Sequence, residues 1–83
     1  MVIQTMSGDW FYGTTAVEIV RMMRNDSWLT HQTLDEYMTE AAKRVTIFLG
    51  RRLKLTGNTT EERAASFIAE ALKAGLLSTP PSA

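Results

Sequence analysis

Few side chains in this chain could act on a substrate. His31 is the only histidine, and no cysteine accompanies it. A zinc site would then draw its other ligands from carboxylates, a poor match to the metal's usual nitrogen and sulfur donors. None of the serines sits on the sharp turn with an oxyanion hole that a Ser-His-Asp nucleophile needs. His31, in the stretch before a helix that starts near Thr33, is read as a partly exposed loop or capping residue. The carboxylate pairs Asp35/Glu36 and Glu61/Glu62 each fall in the first turn of a helix, where the dipole and the cap account for them. No nucleophile, metal set or cofactor fingerprint emerges. The chain is expected to be no enzyme and to need no cofactor.

A second pattern is Gly-x-Thr-x-x-Glu, at Gly13 to Glu18 and again at Gly57 to Glu62. A glycine ahead of a helix N-terminus is the general setting of an anion site. Neither copy is followed by the Gly-Lys-Ser/Thr of a P-loop, and the glutamate competes with phosphate for the same N–H groups. The expected role is structural: a short apolar segment, a glycine bend and a capped helix, used twice. Two copies are too few for a solenoid.

Two groups remain that can meet a partner. Lys43, Arg44, Arg51, Arg52 and Lys54 lie within twelve residues with no acid between them. They can contact phosphate or another anion. The preferred reading is a helix C-terminus balancing its dipole and an edge strand kept soluble by charge. Trp10, Tyr12, Trp28 and Leu29 form the other group. Large apolar side chains near a terminus or in a connection are harder to bury than those on helix faces, so they are the candidate partner contact. Five methionines add adaptable apolar surface.

The elements that position these groups follow from periodicity. Thr33 and Glu36 make a capping box opening a central helix over 33–49. Leu34, Tyr37, Met38, Ala41, Val45, Phe48 and Leu49 share its inner side, and Gly50 ends it. Thr15 with Glu18, and Thr59 with Glu62, open a first and a third helix in the same way. Their inner faces are Ala16, Ile19, Val20 and Met23, then Ala64, Phe67, Ile68, Ala71 and Leu72. Gly75 ends the third, with Leu76 packing back on its last turn. Residues 9–12 read as a strand. Leu53 and Leu55, alternating with Arg52, Lys54 and Thr56, read as a second, half-buried one. The fold class expected is α+β, mostly helical: a three-helix cluster with a small antiparallel β ribbon, in the order β-α-α-β-α. Val2 to Met6, joined through Ser7-Gly8-Asp9, is a candidate extra N-terminal strand. Residues 1–77 read as one small globular domain and 78–83 as a flexible C-terminal tail.

Nine basic and nine acidic side chains cancel. The chain therefore lacks the broad field of a dedicated nucleic-acid binder, and little repulsion opposes self-association. No stretch approaches the ~20 apolar residues that span a bilayer, and the N-terminus lacks the basic start and apolar run of a signal peptide. A cytoplasmic protein is the expectation. The function expected is a small non-catalytic protein–protein interaction domain, with another protein or a second copy as partner. The alternative is a DNA-binding regulator of ribbon-helix-helix type, built from strand 9–12 and helices 15–25 and 33–49. Against it, the strand carries no basic base-reading side chain. A helix-turn-helix fits no better, because the connection over 25–33 exceeds the usual tight turn.

Overall fold

The fold closes around Ile3, which has no exposed surface. In the computed structural model, which describes residues 1–6, 8–26, 33–50 and 53–79, Ile3 sits on β1 (Val2–Thr5), the middle strand of three. On one side β1 pairs antiparallel with β2 (Trp10–Tyr12), matching Ile3 with Phe11. On the other it pairs antiparallel with β3 (Leu77–Ser78), matching Thr5 with Leu77. Between β2 and β3 run three helices: α1 (Ala16–Asp26), α2 (Leu34–Leu49) and α3 (Thr60–Lys73). The mostly helical α+β class, the three-helix cluster, the small antiparallel sheet and the extra N-terminal strand all stand. Trp28, Leu29, His31, Arg51 and Arg52 lie outside the described residues, as do the side chains of Phe48 and Leu49.

Period-two alternation decides which way the sheet faces. Ile3, Phe11 and Leu77 are buried, while their neighbours Trp10, Tyr12 and Ser78 are exposed. The helices cover the inner face with Ile19, Val20, Met38, Ala64, Phe67 and Ile68. Burying each large apolar side chain stabilises the fold by roughly 1.5–3 kcal/mol. Ala42 also belongs to the buried set, beyond the positions read from sequence.

Satisfying the helix N-termini sets the angles between elements. At α2 the expected capping box is complete: Glu36 donates its backbone N–H to the Thr33 hydroxyl at 3.1 Å, and the Glu36 carboxylate accepts the Thr33 N–H at 3.3 Å. The two Gly-x-Thr-x-x-Glu copies differ from this expectation in one respect. Thr15 and Thr59 accept the N–H groups of Glu18 and Glu62 as caps do. The carboxylates, however, reach one residue further back, to the N–H of Thr14 at 2.6 Å and of Asn58 at 3.3 Å. That fold-back fills the space beside the glycine. A Cβ on Gly13 would lie 2.8 Å from Glu18 Cβ, and one on Gly57 would collide with Glu62 Cβ. The glycine and the glutamate of the motif are thus one device.

The segment between α2 and α3 keeps the burial alternation read from it, with Leu53 buried, Lys54 exposed, Leu55 half-buried and Thr56 exposed. Its hydrogen bonds go elsewhere than to a ladder, so the ribbon strand expected there is not formed. Leu53 N–H meets the Thr46 hydroxyl of α2 at 3.5 Å, and Thr56 N–H meets the Ser66 hydroxyl of α3 at 3.0 Å. Each hydroxyl also donates to a carbonyl of its own helix, Ala42 at 2.8 Å and Arg63 at 2.8 Å. Two helix hydroxyls therefore replace a neighbouring strand. The third strand forms instead after α3. Gly75 (φ 80°) turns the chain, its N–H returning to Leu72 and that of Leu76 to Ala71, the pair of bonds of a Schellman cap. The reversal lays Leu77 against Thr5, and Ser78, read as the start of the tail, pairs with Gln4.

Gly57 has φ +118° as well as no room for a Cβ, whereas Gly50 has φ +66° and open space. Gly57→Ala should cost about 2–3 kcal/mol and Gly50→Ala about 1 kcal/mol. Urea denaturation of the two variants reads the difference, and equal losses would contradict the fold-back account.

The Glu18 carboxylate is held below its ordinary pKa, chiefly by the Thr14 backbone N–H, then by the Thr14 hydroxyl. The sign follows from a depressed carboxylate: its contribution is full above the unfolded pKa and is lost as pH falls through the lower, folded one. The stability gap between the wild type and Glu18→Gln should therefore be open at about pH 6 and should narrow as pH falls below the ordinary carboxylate range. Thermal melts of both proteins across that range check it.

Candidate interaction surfaces

Strand β2 presents an unpaired edge and an aromatic face together. Thr5 donates its N–H to Asp9 at 2.9 Å, and Gly13 donates to Met1 at 3.1 Å. With Ile3 opposite Phe11, these bonds fix the parity: residues 9, 11 and 13 point their backbone groups at β1. The N–H and C=O groups of Trp10 and Tyr12 therefore point away, into the open side of an edge strand. The same alternation sends both side chains to the outer face, where Trp10 is 42% and Tyr12 58% exposed. Met1 and Met6, flanking β1, are exposed as well. Trp10 and Tyr12 are two of the four residues expected to contact a partner; Trp28 and Leu29 are the pair outside the described residues.

The basic residues are divided by the fold. Lys43 of α2 and Lys54 come together on an open groove of about 660 Å³ between α2 and the 53–56 segment. Arg44 is exposed on α2 but does not line that groove. The third cation there is Arg63 of α3, which the reading of the basic run missed. A signal for it existed: it stands in the first turns of a helix, where the dipole disfavours positive charge, so it needs a carboxylate.

Asp35 of α2 is that carboxylate. Its Oδ1 lies 3.5 Å from Arg63 Nε, and its Oδ2 accepts from the Thr60 hydroxyl at 3.1 Å. Arg63 also donates to the Thr39 hydroxyl at 3.3 Å. The Arg63–Asp35 contact is an ion pair rather than an aligned hydrogen bond, since neither Nε nor Oδ1 has a hydrogen-bond partner. Both side chains are about a third or more exposed, so solvent screening keeps the pair below about 1 kcal/mol. Its larger consequence is local, placing Arg63 at the groove between the two helices.

The remaining carboxylates of this region are engaged too. Glu36 serves the α2 capping box, and Glu40 lies 3.8 Å from Lys43. Among the described residues no three acidic or histidine side chains gather as metal ligands, and no helix is long and apolar enough to cross a membrane. The two surfaces present an outward backbone edge with aromatic side chains at the sheet, and cations beside apolar side chains at the groove. No protein-family model matches the chain, and neither a curated protein nor a solved structure matches it.

Proposed function

We propose that this chain is a small non-catalytic protein–protein interaction domain that pairs with a second copy through β2. The observation that carries the reading is the open edge, where the backbone N–H and C=O groups of Trp10 and Tyr12 point away from β1, with no strand beyond them among the described residues, beneath exposed aromatic rings. Such an edge is a template for another strand. Strand Trp-Phe-Tyr suits antiparallel pairing with itself about a two-fold axis at Phe11. In that register Trp10 of one copy exchanges backbone bonds with Tyr12 of the other, and the rings become cross-strand aromatic neighbours. No charge lies within β2, and the chain's formal net charge is zero, so nothing in the charge balance opposes the meeting. An interface this small belongs to the weak, reversible class. Absence of cysteine suits a reducing compartment, and the cytoplasm is the proposed location.

The ribbon-helix-helix reading is the alternative that shares this two-fold strand pairing. It also needs cations on the ribbon face that meets DNA. The outer face here carries Val2, Gln4, Trp10, Tyr12 and Ser78 instead. Contact with protein is the better match.

Proline substitutions separate the interface from the fold. Trp10→Pro removes an outward N–H and should abolish self-association while sparing the intrachain ladder; Phe11→Pro removes an inward one and should unfold the sheet. Sedimentation equilibrium of the wild type should give a mass rising with concentration from the monomer's 9.3 kDa toward the dimer's. A wild type that stays monomeric, or a Trp10→Pro chain that still associates like the wild type, would overturn the proposal. Added DNA duplex should leave both masses unchanged; a salt-sensitive complex would favour the regulator instead.

A further inference from the structure

The groove beside α2 is separate from the sheet edge and has a different chemistry. Among the described residues, three cationic side chains, Lys43, Lys54 and Arg63, line it, and no carboxylate does. Its apolar contribution comes from Leu53, Leu55 and Ile47. Ile47 is 84% exposed, the most exposed large apolar residue among those described. Two of the cations already have a carboxylate at one side, Lys43 with Glu40 and Arg63 with Asp35. Both contacts are long and screened, which leaves the charges available to a second anion. Lys54 has no ion pair among the described residues.

We infer that this groove binds an acidic, extended peptide segment of a partner protein, with carboxylates set against Lys43, Lys54 and Arg63 and an apolar side chain against Ile47 and Leu55. Charge complementarity selects the sign of the occupant, and the apolar wall selects a peptide over a nucleic acid. A phosphate backbone has no use for an exposed isoleucine, whereas an alternating acidic and apolar segment uses both parts of the surface. The neighbouring recess argues the same way. It shares Thr39 and Arg63 with the groove but adds Asp35, Glu36 and Glu40. Those three carboxylates end the positive stretch after a short distance, which limits the occupant to a short acidic segment and disfavours any long polyanion. Lys54 extends from a segment whose backbone is tethered to both helices by hydroxyl hydrogen bonds, so its attachment point is set before any peptide arrives.

The test is fluorescence anisotropy with the full chain and a fluorescein-labelled peptide of alternating glutamate and leucine. A lysine–leucine peptide of equal length and a DNA duplex are the comparison probes. The glutamate–leucine peptide should bind and weaken as salt rises, and the lysine–leucine peptide should not bind. Lys54→Glu and Ile47→Asp should each weaken binding about tenfold. Both positions are exposed, so circular dichroism should match the wild type. Trp10→Pro should bind the peptide as the wild type does, which separates this site from the sheet edge. Equal binding of the two peptides, tighter binding of the duplex than of the acidic peptide, or unchanged affinity in both groove variants would each overturn the inference.

Discussion

The first N–H groups of a helix must find acceptors, and in this chain that requirement organises more than the helices. At α1 and α3 a threonine hydroxyl accepts the N–H of the glutamate one turn in, and that glutamate's carboxylate reaches back past the cap to the N–H of the residue before it. The reach is feasible only where a glycine leaves room, at Gly13 and Gly57. Each glycine therefore fixes how the preceding extended segment enters its helix. Those segments are β2 and residues 53–56, and they carry the two candidate interaction surfaces. The aromatic edge and the basic groove are both consequences of how a helix was started.

Much of the fold was legible because its signals are local. Cap residues, three-and-four periodicity and a terminal glycine identify α1, α2 and α3 without reference to the rest of the chain. The 53–56 segment marks the limit of such reading. Alternation of Leu53 and Leu55 with Lys54 and Thr56 reports that one side is buried, and one side is buried. It does not report what receives the backbone N–H groups. Here Thr46 and Ser66 do, from positions seven and ten residues away on two different helices, and no pattern in the segment announces them. Strand β3 escaped for a similar reason. Its two residues carry no periodicity, and they pair only because the Gly75 reversal delivers Leu77 beside Thr5.

The candidate sites divide along the same line. That Trp10 and Tyr12 project to one side of a strand is a property of the sequence, and their exposure followed. That their backbone edge is open depends on β1 taking the opposite side, which is a fact of tertiary structure. The run Lys43 to Lys54 was visible as charge, yet adjacency in sequence is not adjacency in space. A helix turns about 100° per residue, so Lys43 lines the groove and its neighbour Arg44 does not. Arg63 arrives there from another helix, drawn by Asp35.

The two edges of the sheet bear on what kind of association β2 can support. An open strand edge invites indefinite growth unless the opposite edge refuses the next copy. Strand β3, at that opposite edge, has two residues. The sequence that follows it is Thr79, Pro80 and Pro81, and proline offers no N–H to a ladder. The two edges are thus unequal, three residues of strand at β2 and two at β3. In the proposed pairing, a two-fold axis consumes the β2 edge of both molecules and leaves only the shorter β3 edges outside. A heterologous contact would leave one open edge exposed at every step. Closure at two copies is therefore the assembly that the proposed β2 pairing implies.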